Sequence, residues 1–466
     1  EESARNANRL DKRTMILLRA IGRLATPGLR ICHHRSACGN CSVNSEQRYF
    51  TSDADYNEFL STTSKARRPS AIRSLQPLVN LPGMISLGGG MPNAATFPFE
   101  KLTMQCRSGL ELTLAGKALE EALQYSATPG LPALNAFLLG MQLKEHTPPE
   151  CAGVERALTI TQGSQDGLSK VFDMLLDAND ALLVESPTYS GSLAYLQPKG
   201  CRLIEIETDD GGLMPDKLEA TLRNWDPECG PRPKVLYTIP TGSNPTGASL
   251  SLERKKLIYE ISSEFNLLIL EDDPYYYLRL EGDRSQHPSF LELDTDARVI
   301  RFDSFSKILS SGMRIGFVTG PKPLIERVNL HTQASNLHPT GITQAMILGL
   351  LQHWGEEGWE KHLKSVCTFY RTQRGHFLKS AETHLTGLVE WNTPNAGMFV
   401  WMKLLGIDDT LELIQTKAVK SNVLFVPGSV FYANPRPSQY VRAAYSTASP
   451  QDMDTALERL AHLLTE

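Results

Sequence analysis

Residues 303–314, DSFSKILSSGMR, place two hydroxyls, one amine and one guanidinium within a dozen positions. Ser304, Ser306 and Arg314 could donate hydrogen bonds to the oxygens of a phosphate, the arginine as a bidentate fork. Lys307 would then hold its amine beside that phosphate, where it could form a Schiff base with an aldehyde on the same ligand. The segment therefore predicts a ligand that carries both a phosphate and an aldehyde.

Residues 303–314 must be held in place by a larger folded unit. The sequence around them indicates its architecture, because short apolar runs alternate with helical patterns from about residue 155 to 320. This alternation predicts an α/β fold with a mostly parallel mixed sheet that is covered by helices on both faces. In such sheets, ligands bind outside the carboxyl ends of the strands. The predicted strands are 157–161, 181–185, 201–207, 234–240, 267–273, 298–302 and 314–320.

Further polar side chains stand where these strands end. Asp272 and Tyr275 lie at the end of the strand that begins at residue 267, and Asn244 follows another strand in a turn that a cis Asn244–Pro245 bond would suit. Asp272 could keep a pyridine nitrogen protonated, while Tyr275 and Asn244 could hydrogen-bond a phenolic oxygen. Pyridoxal phosphate has all of these groups together with the phosphate and the aldehyde, so it is the predicted cofactor.

Ser164 and Gln165 follow the strand 157–161 at the start of a predicted helix. Free N–H groups and the helix dipole at such a position favour a phosphate. A glycine turn with an ordinary serine or glutamine cap explains this stretch equally well. The sequence lacks the signatures of two other cofactor classes. No predicted strand is followed by the G-x-G-x-x-G of dinucleotide sites, and no stretch has the P-loop spacing of nucleoside triphosphate sites.

Composition excludes several classes of protein. The chain has 466 residues, 41% apolar and 21% charged, and its net charge of −5 leaves no basic surplus for nucleic acid. No apolar stretch approaches the roughly 20 residues that cross a bilayer. The eight cysteines show no repeated spacing, which favours reduced thiols. Cys32–Cys41 contains a C-x-x-C beside two histidines, but its surroundings do not resemble a zinc module, so we expect no metal site.

Residues 1–50 read as an N-terminal extension outside the catalytic fold. Between Met15 and Phe50 the sole acidic residue is Glu46, whereas five arginines occur among leucines and isoleucines: 19, 23, 30, 35 and 48. This composition is typical of a mitochondrial presequence, with a plausible cleavage point near residue 50. We therefore expect residence in the mitochondrial matrix, with the cytoplasm as the alternative, and Met15 is a candidate initiator.

From about residue 56 to the end, the sequence resembles the fold-type I, pyridoxal-phosphate-dependent aminotransferases of the aspartate aminotransferase superfamily. Within that superfamily it is most similar to the kynurenine/α-aminoadipate aminotransferases. The stretches that carry the resemblance are SAIR, MISLGGGMPN, ALQYS, QGSQ, SPTYSG, PTGSNPTG, EDDPYYYL, DSFSKILSSGMRIGFVTGPKPLIERV, HWGEEGW, AGMFVW and YVRAAYSTASP.

The resemblance implies a role for each matching residue around the cofactor. Lys307 would be the Schiff-base lysine and proton carrier, Asp272 the partner of the ring nitrogen, and Tyr189 the residue that stacks on the ring. Tyr275 and Asn244 would hold the phenolic oxygen. The residues that would hold the phosphate are Ser164, Gln165, Ser304, Ser306, Arg314 and, from a neighbouring subunit, Tyr125. The last of these implies a homodimer with shared active sites.

The resemblance also implies which residues meet the substrate. Arg442 would clamp the α-carboxylate, with Asn244 and Tyr125 beside it, and Gly90 would let the backbone approach. Arg73 would meet a distal carboxylate, which suits 2-aminoadipate and 2-oxoglutarate, and moving its segment aside would admit kynurenine. Without the resemblance, Arg73 reads as part of a solvated basic face and Arg442 as an ion-paired strand residue.

Three activities remain open at this point. The first is transamination of L-2-aminoadipate, L-kynurenine, or other aromatic or aliphatic amino acids with 2-oxoglutarate, by a ping-pong mechanism. The second is a cysteine-conjugate β-lyase that uses the same cofactor. The third is a non-catalytic, pyridoxal-phosphate-binding regulator, but the N-terminal region has too little periodic sequence for a DNA-binding head.

The expected organisation has a large cofactor domain and a smaller α+β domain. Residues 51–104 would contribute to the small domain and the substrate entrance. Residues 105–325 would form the large domain, 326–349 a connecting helix, and 350–466 the small C-terminal domain.

Overall fold

The computed structural model describes residues 50, 52, 54–72, 75, 78, 81–88, 90–151 and 154–466. Residues 1–49 of the predicted presequence, with the Cys32–Cys41 stretch, lie outside the described residues, and so does Arg73. Phe50 was expected outside the catalytic fold, but it is buried in the core and stacks on Tyr56. Across these ranges, no helix is long and apolar enough to cross a membrane. The same ranges contain no group of three or more histidine, cysteine, aspartate or glutamate side chains that could hold a metal ion.

Fourteen strands form three sheets in the described residues. The strands are β1 (Lys101–Gln105), β2 (Glu111–Ala115), β3 (Arg156–Thr161), β4 (Ala181–Ser186), β5 (Arg202–Asp209), β6 (Gly212–Leu213), β7 (Val235–Thr238), β8 (Leu268–Asp272), β9 (Val299–Ser304), β10 (Gly316–Pro321), β11 (Val389–Trp391), β12 (Phe399–Leu404), β13 (Val426–Pro427) and β14 (Tyr440–Ala444). β1 and β2 pair as an antiparallel hairpin.

The central sheet has eight strands in the order β3-β10-β9-β8-β7-β4-β5-β6. β9, β8, β7, β4 and β5 pair in parallel, whereas β10 runs antiparallel to both β9 and β3, and β6 runs antiparallel to β5. β3, β4, β7, β8 and β9 therefore all end at the same edge of the sheet. The mixed, mostly parallel sheet that the sequence predicted is confirmed.

Twelve α-helical segments accompany the strands in the described residues. They are α1 (Thr62–Ala66), α2 (Gly116–Leu123), α3 (Pro132–His146), α4 (Ser164–Leu175), α5 (Ser190–Lys199), α6 (Pro215–Arg223), α7 (Leu252–Glu264), α8 (Phe290–Leu293), α9 (Lys322–Ser335), α10 (Gly341–Leu385), α11 (Thr410–Glu412) and α12 (Pro450–Thr465). α10 contains a kink at Gly355, and a short π-helix, Leu413–Ala418, follows α11.

Helices cover both faces of the central sheet because successive strand residues point to opposite sides. Leu268 and Leu270 of β8 pack in one core, which also contains residues of α4 such as Phe172. Ile269, between them, packs in a second core with Ile258 of α7. Both faces of the sheet are therefore buried against apolar side chains. This explains why the strands are continuous apolar runs in the sequence.

A second, smaller sheet has the strand order β11-β12-β14-β13, with antiparallel pairing throughout. Its core includes Val400 and Met402 of β12, Val441 of β14 and Leu457 of α12, all of them buried. β14 carries Arg442, which lies opposite Trp401 of β12. The division into domains at the predicted bounds stays a prediction.

The stretch 326–349 contains parts of two helices rather than one. α9 ends at Ser335, α10 begins at Gly341, and Leu337 between them has a φ of +63°. Pro339 follows, and it lacks the backbone N–H that a continuous helix would need there. The backbone therefore turns between α9 and α10, at the place where a single connecting helix was expected.

The start of α10 packs closely against α2. A Cβ added at Gly341 would overlap the carbonyl oxygen of Ala122 and lie 3.0 Å from its carbonyl carbon, whereas one added at Gly375 would meet nothing within 4 Å. We expect Gly341→Ala to lower the free energy of unfolding by about 1–3 kcal/mol through overpacking. Gly375→Ala, in the same helix, should raise it by about 0.5–1 kcal/mol. Urea denaturation measures both, and equal effects of the two variants would contradict the close packing.

Candidate active site

Lys307 lies just beyond the carboxyl end of β9, on a half-buried turn. Burial lowers the pKa of its amine, and the positive charges of Arg442 and Arg314 lower it further. Among the described residues it has no carboxylate partner. The site thus favours the neutral amine, which is the nucleophilic form.

Asp272 is the last residue of β8, and its side chain is 3% exposed. Burial raises the pKa of its carboxyl to about 7, although a hydrogen bond from Tyr237 opposes this effect. Tyr237 donates to Oδ2 at 2.7 Å, while the buried Oδ1 has no hydrogen-bond partner among the described residues. A buried carboxylate oxygen without a partner is costly, so it indicates a place for a cationic or N–H group of a ligand.

The opposite end of the site gathers groups that attract anions. Arg314 donates from Nη1 to Ser306 Oγ at 3.3 Å and from Nη2 to the carbonyl of Gln162 at 3.0 Å. The backbone N–H of Ser306 donates to Ser304 Oγ at 3.2 Å. Gly163 precedes α4 with a φ of +86°, and a Cβ there would overlap the Arg314 guanidinium. The guanidinium therefore lies against the N-terminus of α4, where free N–H groups also favour negative charge.

Arg442 comes from the smaller sheet and meets the turn after β7. Its Nη1 donates to Asn244 Oδ1 at 2.8 Å, and the Asn244–Pro245 bond is cis, as the sequence suggested. Its guanidinium carbon lies 4.4 Å from the ring centroid of Phe399 and 5.1 Å from that of Phe431. Burial lowers the pKa of Arg442, and its buried Nε has no partner among the described residues. A carboxylate would satisfy this guanidinium.

Two tyrosines and one glutamine border the same space. Burial raises the pKa of Tyr189, which follows β4, and the negative charge of Asp272 adds to the increase. Tyr275 is 4% exposed and meets the ring of Phe399 edge-on; burial and Asp272 raise its pKa as well. Gln165, in the first turn of α4 directly after Ser164, donates to the carbonyl of Gly191 at 3.3 Å. The predicted cofactor residues of this chain thus meet along one sheet edge.

Two predicted residues, Gly90 and Tyr125, are not brought to this group, and Arg73 lies outside the described residues. Gly90 is exposed, and a Cβ added to it would meet nothing within 4 Å. Tyr125 is 49% exposed and contacts the ring of His338 edge-on. The expectation that Tyr125 serves a neighbouring subunit therefore stays a prediction.

Sequence reasoning missed the polar residues beneath the site. Glu185, at the end of β4, accepts hydrogen bonds from Thr238 Oγ1 (2.5 Å), the Ile239 N–H (3.1 Å) and Ser243 Oγ (3.3 Å), and so holds the loop that leads to Asn244. Burial raises the pKa of Glu185 to about 7. A carboxylate at the end of the apolar run ALLVE was the available signal.

Arg301 on β9 neutralises two carboxylates that flank Asp272. Its guanidinium lies 3.1 Å from Glu271 and 3.1 Å from Asp273, and it also pairs with Asp303 at 3.0 Å. Because residues alternate along a strand, Glu271 and Asp273 point away from the face that Asp272 occupies. The charge of Arg301 lowers the pKa of Asp272 and so partly offsets its burial.

Comparisons with known proteins agree with this geometry. Residues 99–460 match the family model "Aminotransferase class I and II". The mitochondrial kynurenine/alpha-aminoadipate aminotransferase of Bos taurus is 44% identical over 424 residues, which cover 88% of this chain and 99% of the bovine protein.

Solved structures have the same fold. Aminotransferase Aro8 from Candida albicans superposes with a TM-score of 0.80 at 29% identity, covering 87% of this chain and 97% of its own. LysN, an alpha-aminoadipate aminotransferase from Thermus thermophilus solved with N-(5'-phosphopyridoxyl)-L-leucine, has a TM-score of 0.67 at 30% identity and covers 75% and 85% of the two chains. The predicted aspartate aminotransferase-like fold is confirmed, and this chain belongs to the class I and II aminotransferase family.

Proposed function

We propose that this aminotransferase moves the amino group of L-2-aminoadipate or L-kynurenine to 2-oxoglutarate, with pyridoxal phosphate as its cofactor. The observation that carries the proposal is the half-buried amine of Lys307, whose pKa is lowered by burial and by two arginines, Arg442 and Arg314. Arg442 would bind a substrate carboxylate, and Arg314 would bind the cofactor phosphate. The names of the bovine relative and of LysN support the choice of amino acids.

The residues of the site fit the cofactor at each of its polar groups. The unpartnered Oδ1 of Asp272 suits a protonated ring nitrogen. Ser164, Gln165, Ser304, Ser306 and Arg314 would hold the phosphate, where the α4 N-terminus and the Arg314 guanidinium already favour an anion. Asn244 and Tyr275 would hold the phenolic oxygen, and Tyr189 would pack on the ring.

Pyridoxal phosphate, when bound, supplies an aldehyde that can take an amine and a ring that withdraws electrons from the substrate Cα. Lys307 would carry the proton that leaves Cα, since its neutral amine is a base. Asp272 would keep a proton on the ring nitrogen. Arg442 would orient the substrate through its α-carboxylate and so fix which Cα bond faces Lys307.

Two finer features belong to the proposal. Arg73 would recognise the distal carboxylate of 2-aminoadipate and 2-oxoglutarate, and Gly90 would let the backbone approach the substrate. Location in the mitochondrial matrix is supported by the Arg-rich, acid-poor residues 15–50 and by the word "mitochondrial" in the name of the bovine relative.

Visible absorption spectroscopy tests the proposal on purified protein that has been loaded with pyridoxal phosphate. We expect a visible band that disappears on addition of L-2-aminoadipate or L-kynurenine without an oxo acid, and returns when 2-oxoglutarate is added. The D-enantiomers are the control and should leave the band unchanged. A protein that takes up no cofactor contradicts the cofactor assignment, and a loaded protein that ignores both L-amino acids contradicts the substrate assignment.

Arg442→Gln should lower kcat/KM for the amino donor by about 100-fold, because a bidentate, charge-assisted pair with the α-carboxylate is lost. Arg442→Lys should recover only part of this loss, since an ammonium cannot form the fork. Steady-state kinetics measures both variants. Arg459→Gln is the matched control, because Arg459 is partly buried and donates to the carbonyl of Asn422 rather than to Asn244. A wild-type value for Arg442→Gln would refute the assigned role.

A homodimer with shared active sites is also part of the proposal. The described residues between positions 75 and 99 include large apolar side chains that are exposed to solvent, which is unfavourable unless another surface covers them. They include Leu78, Met84, Ile85, Leu87, Met91 and Phe99, with exposures from 48% to 98%. A second copy of the chain would cover them and would also bring its exposed Tyr125 to the phosphate group.

Mixing two inactive variants tests the shared site. In a mixed dimer of Lys307→Ala and Tyr125→Ala subunits, one of the two sites would have both intact side chains. Random reassociation of equal amounts should therefore restore about one quarter of the wild-type activity, compared with the near-zero activity of each variant alone. If the mixture has only the average activity of the separate variants, Tyr125 does not act across a subunit interface.

A further inference from the structure

We propose that Tyr237 is a positioning residue that holds one oxygen of Asp272 and so reserves the other for the ring nitrogen of the cofactor. This inference rests on the proposed function and extends it to a residue in the middle of β7. Neither the sequence motifs nor the family resemblance drew attention to Tyr237, which lies inside the apolar run KVLYTIP.

The contacts form a directed chain of hydrogen bonds. Ser192 Oγ, on α5, donates to Tyr237 Oη at 3.0 Å, and Tyr237 Oη donates to Asp272 Oδ2 at 2.7 Å. A phenol has a single proton, so a tyrosine that accepts from serine can give its proton only to the carboxylate. Ser192 and Tyr237 are both fully buried, so these bonds are shielded from bulk solvent.

The ring of Tyr237 is fixed by packing. It meets the ring of Phe172 edge-on, with 5.7 Å between the centroids, and it belongs to the core on one face of the sheet. Tyr237 lies opposite Leu270 in the β7–β8 register, so its phenol reaches Asp272 two residues further along the neighbouring strand. The contact is thus set by the sheet itself rather than by a flexible loop.

The hydrogen bond also controls the basicity of Asp272. The Tyr237 phenol lowers the pKa of the carboxyl and opposes the larger effect of burial. Without the phenol, the carboxylate would hold a proton more strongly. The proton shared between Asp272 and the ring nitrogen would then move towards Asp272, and the ring would withdraw electrons less well.

Nitrogen-15 NMR tests this inference with holoenzyme that carries cofactor labelled at the ring nitrogen. In the wild type, we expect the chemical shift of a protonated nitrogen. In Tyr237→Phe it should move towards the unprotonated position, the Kd for pyridoxal phosphate should rise about tenfold, and kcat should fall with little change in KM. A tyrosine with a purely structural role would not move the nitrogen shift.

Tyr195→Phe is the matched control. Tyr195 also packs on Phe172, with 6.2 Å between the ring centroids, but it hydrogen-bonds Asp173 rather than Asp272. It should leave the nitrogen shift unchanged. Ser192→Ala should move the nitrogen-15 chemical shift in the same direction as Tyr237→Phe, but by less. It provides an independent test if Tyr237→Phe folds poorly.

The outcomes separate the two proposals. A wild-type shift in both Tyr237→Phe and Ser192→Ala overturns the role of Tyr237 while leaving the cofactor in place. Equal shifts in Tyr237→Phe and Tyr195→Phe also overturn it, because they indicate a general packing effect. A wild-type protein that shows no saturable uptake of the labelled cofactor overturns the proposed function itself.

Discussion

Lys307→Ala is expected to lower kcat for transamination by about 10⁴-fold or more, because the variant loses both its covalent anchor and its base. The half-buried amine of Lys307 would be that base, because burial and the charges of Arg442 and Arg314 lower its pKa. Single-turnover kinetics with the loaded variant measures the loss directly. Added methylamine should restore part of the rate, since it supplies a free base to the space that the side chain leaves.

The folding of the variant serves as an internal check. Lys307 has no ion-pair partner among the described residues, so its removal should change the melting temperature by only a few degrees. Lys379→Ala, an exposed lysine on α10, should retain wild-type activity and stability. A Lys307→Ala variant with more than about one tenth of the wild-type kcat would contradict the assignment, since general base catalysis alone contributes about 100-fold or more.

The strand ends of the central sheet could be predicted because each requires only local information. Apolar runs mark β8 and β9, and the polar residues that follow them, Asp272 and Lys307, have the chemistry of one cofactor. Parallel pairing then brings such residues to one edge, wherever the helices between them lie. The start of α4 after β3 is a similar case, because Gly163 marks the turn.

Contacts between distant segments could not be derived in this way. Arg442 lies 198 residues from Asn244 in the chain, and only the family resemblance connected Arg442 to the site. Tyr237 reaches Asp272 through the register of two strands, which apolar runs do not specify. In the sequence, Arg301 is an isolated charge within an apolar strand, and its ion pairs with Glu271 and Asp273 become visible only in the folded sheet. Such pairings require the tertiary structure.

Asp272→Asn is expected to lower kcat by about 1000-fold and, at the same time, to stabilise the cofactor-free protein. The loss of activity follows because a neutral amide cannot keep the ring nitrogen protonated, which costs about 4 kcal/mol of transition-state stabilisation. The gain in stability follows from burial. The carboxyl of Asp272 has its pKa raised from 3.8 to about 7, so ionising it in the folded protein is unfavourable.

The pH dependence of this gain has a definite sign. A carboxyl with a raised pKa contributes stability that is fully present below its unfolded value near 3.8 and is lost as the pH rises through about 7. At pH 8 the buried carboxyl of Asp272 is ionised in the folded wild type, and the full cost of that ionisation lowers its stability. Asp272→Asn should therefore be more stable by about 1–3 kcal/mol. The difference between the two proteins should shrink as the pH falls below about 7. Urea denaturation of the cofactor-free proteins between pH 5 and pH 8 measures it.

The same substitution at Asp209 should have the opposite effect on stability. Hydrogen bonds from Arg254, at 2.5 and 2.7 Å, lower the pKa of Asp209, so its ionised form stabilises the fold. Asp209→Asn should therefore weaken the protein slightly at pH 8 and leave activity unchanged. If Asp272→Asn and Asp209→Asn both lose stability, burial of the ionised Asp272 carboxylate does not destabilise the folded protein. If Asp272→Asn keeps its activity, the ring nitrogen does not depend on Asp272, and the anchor of the proposed cofactor must lie elsewhere.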